Sequence, residues 1–252
     1  MNETLKTSIA FCGDSFCADY NEGVARDPGH SWLDLVAEDC DLEIVQRGIH
    51  GASFFTAYTQ VKHAIKHGVD YIVICVTHFD RLPNKYDLGI TASGVMSSDN
   101  FEHLVNLTGS EKKAKEIDSA QKLYYDYLYK QEYHAEVHGL LIKHLDNLLL
   151  ENQKKCIWFP CFSNSFQDTY YSTNITSGPY ADIALQKISI TEPAGQEWIK
   201  RAHQHPPFHD SRKNHMGEEN NQNMAKLIID IIENDAFDAY EIQMQDRFGS
   251  LK

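Results

Sequence analysis

Ser8-Ile9-Ala10-Phe11-Cys12-Gly13-Asp14-Ser15-Phe16 is the stretch that decides the fold of this chain. A short apolar run ends in Gly-Asp-Ser, and the sequence then turns polar. A run of that length bounded by turn residues reads as a buried strand. Its carboxyl end presents Ser15 in a tight turn, and open α/β sheets place their chemistry at the carboxyl ends of strands. Gly-Asp-Ser is also ordinary turn composition. Ser15 therefore gains meaning as a nucleophile only if a base and an oxyanion site follow in order.

Moving outward, a polar loop covers residues 18–30, and Ser31 opens a helix with Asp34 three residues on. That is the spacing of a capping box, which satisfies backbone N–H groups at a helix start. Leu42 to Val45 reads as a second strand. It runs into Gly48-Ile49-His50-Gly51-Ala52-Ser53, and then a helix with Phe54, Tyr58, Val61 and Ile65 at helical spacing, ended by Gly68. Strand, glycine turn and helix form a place where backbone N–H groups can face an anion.

Tyr71-Ile72-Val73-Ile74-Cys75-Val76 is apolar on both faces, as a central parallel strand should be. It delivers Thr77-His78-Phe79-Asp80-Arg81 to the same sheet edge. Residues 84–110 lack periodicity and read as a long loop, with the placement of a lid. From Ser110 a helical stretch runs to Asn152, with Gly139 the expected break. Leu123, Tyr124, Tyr127 and Leu128 make one apolar stripe, expected in the core or at an oligomer interface, with a sugar or peptide groove lined by the tyrosines as the alternative. Cys156 to Phe159 is a fourth strand, which Pro160 helps end.

The last polar loop holds His203, His205, His209, Asp210 and His215, ahead of an amphipathic helix with Met224, Leu227, Ile228 and Ile231 on one face. Five potential ligands in a short stretch raise the question of zinc. The spacings match neither a helix-borne nor a finger pattern, and two prolines interrupt them, so no metal is expected. The tail from Asn234 to Lys252 can pack back on the domain or bridge to another subunit.

Length and composition bound the rest. The 252 residues suit one domain, since no linker or repeat divides them. A formal net charge of -13 excludes a general phosphate-backbone binder, so no nucleic-acid partner is expected. Six cysteines without a Cys-x-x-Cys pair argue against structural zinc and against a dense disulfide framework. No signal peptide is seen and no apolar run is long enough to span a bilayer, which points to a cytoplasmic location, with a virion-associated one also open.

Taken together, Gly13-Asp14-Ser15, the turn at Gly51, the string at Thr77 and the loop at His215 stand in an order that resembles the motif blocks of the SGNH (GDSL-like) hydrolases. The string Asp210-Ser211-Arg212-Lys213-Asn214-His215-Met216 is similar to a variant block of phage and marine sequences. The resemblance implies a three-layer α/β/α sandwich with a flavodoxin-like parallel sheet. That sheet would belong to a single domain spanning 1–252, with an inserted region at 84–152 and a tail at 234–252. It implies Ser15 as nucleophile, His215 as general base and Asp210 as the acid that orients it. It also implies an oxyanion hole from the N–H groups of Ser15 and Gly51, with Gly48 the alternative glycine.

Two departures matter. Phe79 stands where the family's third block has an oxyanion-donating asparagine, so either Thr77, His78 or Asn84 stands in or the hole has only backbone donors. Asp210 lies five residues before His215, where the family has a tighter spacing, and Arg212 occupies the usual acid position. Asp14, Asp80 and Asn84 are the expected substrate contacts. The implied activity is that of a serine esterase without cofactor, acting on small acyl esters or acylated carbohydrate, monomeric or as a homo-oligomer. A sugar O-acyltransferase using the same serine, and a catalytically weak binding or virion-structural protein on the same scaffold, are the alternatives.

Overall fold

The computed structural model describes residues 6–18, 31–86, 98–161, 176–177, 218–238 and 242–243. Four parallel strands form the sheet: β1 (Ser8–Cys12), β2 (Glu43–Gln46), β3 (Tyr71–Val76) and β4 (Lys155–Pro160), in the order β2-β1-β3-β4. Helices α1 (Trp32–Asp39), α2 (Phe54–Lys66), α3 (Ser98–Thr108), α4 (Glu111–Tyr127), α5 (Gln131–Glu151) and α6 (Glu218–Glu233) accompany it. Thr176–Ser177 (β5) and Ile242–Gln243 (β6) pair in parallel as a separate two-stranded sheet.

Side-chain alternation along the strands builds two cores. Ile9, Phe11, Val73, Cys75, Ile157 and Phe159 face one side, where α1 and α6 cover them. Ala10, Cys12, Ile72, Ile74, Val76 and Trp158 face the other, where α2 and α5 cover them. The result is the expected three-layer α/β/α sandwich. Trp32 closes edge-on against Phe11 at 5.1 Å between ring centroids. Each such fully buried large side chain contributes about 1.5–3 kcal/mol.

The order reverses between β1 and β3, because β1 is followed by β2 on one side while β3 lies on the other. Ligands of open α/β sheets bind outside the carboxyl ends of strands at such a switch point. Register carries Cys12 to the level of Ile74, so Gly13-Asp14-Ser15 and Val76-Thr77-His78 leave the sheet side by side. The capping pattern at Ser31 is present: its Oγ accepts from the Asp34 N–H at 3.3 Å.

Three expectations are corrected. The 84–110 segment contains helix α3, whose Phe101, Leu104 and Val105 pack with Ala114 and Ile117 of α4. The long helical stretch breaks at Leu128–Lys130, and Gly139 lies inside α5. Leu123, Tyr127 and Leu128 are exposed, which removes the core reading of that stripe and leaves its surface alternatives. In the tail, Phe237 is buried and stacks on Tyr71 at 5.5 Å, so that part packs back on the domain. Among the described residues no helix is long and apolar enough to cross a membrane.

Candidate active site

The Ser15 turn is held by its neighbours on every side. The Cys17 N–H donates to the Asp14 carbonyl at 3.1 Å, and the Phe16 N–H donates to Asp14 Oδ1 at 3.1 Å. Gly13 adopts φ +153 with its N–H bonded to Gln60 Oε1 at 2.8 Å, and a Cβ there would lie 2.6 Å from the Cys75 carbonyl oxygen. The glycine lets β1 turn away while pressed flat on β3. Ser15 itself is half-buried, and among the described residues neither its N–H nor its Oγ has a hydrogen-bond partner. A rigid turn around an uncommitted serine is the arrangement a nucleophile needs.

The loop after β2 abuts this turn. Gly48 donates its N–H to the Cys17 carbonyl at 2.7 Å, and the Ile49 N–H donates to the Gly13 carbonyl at 3.0 Å. Gly48 is thus committed to packing, since a Cβ on it would lie 2.4 Å from the Asp14 carbonyl oxygen. Gly51, at φ +69, keeps an N–H without a partner among the described residues, just before α2 begins. Of the two glycines, Gly51 is the one with a donor to offer.

After β3 the chain makes a turn closed by the Arg81 N–H on the His78 carbonyl at 3.2 Å. His78 Nδ1 lies 2.5 Å from Asp80 Oδ1, a carboxylate-held imidazole at the sheet's carboxyl edge. Arg81 Nη1 lies 2.5 Å from Asp14 Oδ2 and ties this turn to that of Ser15. Asp14 is fully buried with both oxygens engaged, which makes it a brace of the turn rather than an open substrate contact. Asn84 Oδ1 accepts from the Tyr86 N–H at 2.9 Å and caps its own loop. Thr77 is fully buried, and its Oγ1 has no partner among the described residues. Phe79 packs toward His138 at 6.4 Å and supplies no donor.

Helices α4 and α5 wall the edge with aromatics. The Tyr125 hydroxyl donates to the Asp80 carbonyl, and Tyr124 Oη lies 3.0 Å from His134 Nε2. Burial, with the Asp80 charge second, raises the Tyr125 phenol and pushes Tyr129 up to about 12, so both stay protonated donors at neutral pH. His138, buried against Phe54 at 4.6 Å, donates Nε2–H to the Thr77 carbonyl at 3.1 Å. Burial pulls its pKa down to about 4.

That depression makes a prediction. An unfolded histidine titrates near 6.5, so between pH 6.5 and 4 the unfolded chain binds a proton that the folded one refuses. Stability therefore falls as pH drops through this window, by about 3 kcal/mol in all. Urea midpoints measured from pH 7.5 to 4 for the wild type and His138→Gln should diverge there. Parallel curves would rule the account out.

Two of the expected catalytic residues, Asp210 and His215, lie outside the described residues, as do His203, His205 and His209. The described chain resumes at Glu218, three residues after His215. The start of α6 lies near the Ser15 turn: Asn221 Oδ1 accepts from the Trp32 N–H at 3.1 Å, and Trp32 Nε1 donates to the Phe16 carbonyl at 3.1 Å. Among the described residues no group of His, Cys, Asp and Glu could hold a metal ion. Arg81 and His138 were not singled out from the sequence. Arg81 stands in the string quoted there with no sign of its partner 67 positions away, and His138 carries no local signal.

No family model and no curated protein matches this chain. Among solved structures it is similar to a protein assigned as lipolytic, of the G-D-S-L family, from Desulfitobacterium hafniense DCB-2. That likeness has 10% identity and a TM-score of 0.45, covering 89% of this chain and 99% of that one. It is also similar to the psychrotrophic esterase EstA from Pseudoalteromonas sp. in a structure inhibited by monoethylphosphonate, at 13% identity and a TM-score of 0.43, covering 91% and 98%.

Proposed function

We propose that the chain is a serine esterase acting on O-acetyl or other small acyl esters, with carbohydrate as the acceptor class. The observation that carries this is Ser15: it has no hydrogen-bond partner among the described residues, is half-buried, and is fixed by bonded neighbours at the switch point between β1 and β3. The motif order in the sequence supports the same reading.

The chemistry follows from these parts. Ser15 Oγ attacks the ester carbonyl carbon and gives its proton to an imidazole nitrogen. The tetrahedral oxyanion is held by the N–H groups of Ser15 and Gly51, with Thr77 and His78 as side-chain candidates. The carbon–oxygen bond to the alcohol then breaks, and the imidazolium protonates that alcohol as it leaves. Water attacks the acyl-enzyme through the same base, releasing the acid and restoring Ser15. Transfer to a second alcohol instead of water would make the same site an acyltransferase.

The base is His215, oriented by Asp210, on the sequence order. The His78–Asp80 contact at 2.5 Å favours a second reading, in which His78 is the base and Asp80 orients it.

A fluorophosphonate should label the wild-type protein once, with the adduct on the peptide containing Ser15. p-Nitrophenyl acetate should show turnover that the label abolishes. An adduct on another residue, or no adduct and no turnover, would overturn the esterase reading.

A further inference from the structure

Arg81 lies outside the nucleophile, the oxyanion donors and both candidate bases, yet it makes the one ion pair described on Asp14. Its guanidinium Nη1 is 2.5 Å from Asp14 Oδ2, with the Arg81 side chain 14% exposed and Asp14 at 0%. Asp14 precedes the serine directly and fixes the turn through the Phe16 N–H. A buried carboxylate at that position is costly unless paired. It also places a negative charge next to the point where the attacked carbonyl becomes an oxyanion, in surroundings that screen it poorly.

We propose that Arg81 is a charge-balancing residue of the Ser15 site, acting through Asp14. The positive charge of the guanidinium offsets the carboxylate that would otherwise oppose the oxyanion. The position suits this role: Arg81 ends the turn after β3, the strand next to β1 in the sheet, so one side chain bridges the two edges of the switch point. The inference rests on the esterase reading given above and names the group that balances charge where the third motif block lacks its asparagine.

The test compares the two sides of the same contact. Wild type, Arg81→Met, Arg81→Lys and Asp14→Asn are titrated with fluorophosphonate, and kcat and KM for p-nitrophenyl acetate are expressed per labelled Ser15. Arg81→Met should lower kcat per site about 10²-fold with KM changed less than threefold. Arg81→Lys should recover part of that loss. Asp14→Asn keeps an acceptor for the Phe16 N–H and removes the opposing charge, so its kcat should stay within tenfold of wild type. If Arg81→Met does not fold, the double variant Asp14→Asn with Arg81→Met buries no unpaired charge and replaces it, with kcat expected within tenfold of Asp14→Asn. The proposal is overturned if Arg81→Met reduces only the number of labelled sites while kcat per site holds, or if Asp14→Asn loses as much as Arg81→Met. It is also overturned if the double variant falls well below Asp14→Asn. A wild type that neither turns over nor takes the label overturns the esterase reading itself, and this inference with it.

Discussion

Ser15→Ala is expected to abolish fluorophosphonate labelling and to leave p-nitrophenyl acetate turnover at the level of buffer. The same assay decides the base. Loss of a general base costs about 10²–10⁴-fold in rate. If His215 is the base, His215→Ala shows that loss, while His78→Ala and Asp80→Asn change kcat by much less. If the imidazole held at 2.5 Å by Asp80 is the base, the ranking inverts, and His78→Ala and Asp80→Asn carry the loss. A protein in which both histidine variants keep wild-type kcat uses neither as its base, and both readings above fail. Ser15→Ala removes only an oxygen that has no partner among the described residues, so its fold should be unchanged.

Gly13→Ala should cost about 4 kcal/mol of stability, enough to unfold a marginal domain. The added Cβ would meet the Cys75 carbonyl oxygen at 2.6 Å, the Cys75 Cβ at 2.7 Å and Cys17 Sγ at 2.9 Å. Two of these atoms belong to the central strand, which cannot give way without breaking the ladder to β1 and β4. A φ of +153 adds backbone strain for any residue with a side chain. Gly139→Ala is the matched control. Its Cβ meets nothing within 4 Å inside α5, and alanine there should stabilise by about 0.5–1 kcal/mol. Chemical denaturation of both variants checks the pair. A Gly13→Ala protein as stable as wild type would mean the two strands are less tightly apposed at this point.

Much of the sheet was legible because its strands are buried on both faces. Tyr71–Val76 and Cys156–Phe159 are unbroken apolar runs, and burial on two sides leaves no other way to read them. Helix α3 was missed because its apolar residues, Phe101, Leu104 and Val105, sit among Ser, Asp and Asn that read as loop. They find their partners only in α4. The break after Tyr127 has no glycine or proline. Lys130 caps α5 with no side-chain bond, and α4 is closed by the Leu128 and Tyr129 N–H groups on the Tyr124 carbonyl, bonds that leave no mark in the residue types.

At the site, Ser15 and Gly51 were named from the order of the motifs and the family it resembles, with turn chemistry only compatible. The brace from Arg81 to Asp14 could not be named that way, because it joins residues 67 positions apart. His138 was equally hidden: one histidine on a helix face gives no sign that it will bond a strand-end carbonyl 61 residues away.

The cysteines give the molecule a built-in clock. Cys12, Cys17, Cys75, Cys156 and Cys161 are sealed in the interior, while Cys40 is partly open. Burial holds Cys12, Cys17 and Cys75 well above the usual thiol range and Cys161 at about 11, so they stay protonated and slow to react. Cys17 and Cys75 pack against Gly13, directly beneath the serine. A thiol alkylator applied to the native protein therefore marks Cys40 first, and every further adduct counts an opening of the interior. Adducts at Cys17 and Cys75 time the loosening of the floor under Ser15 itself.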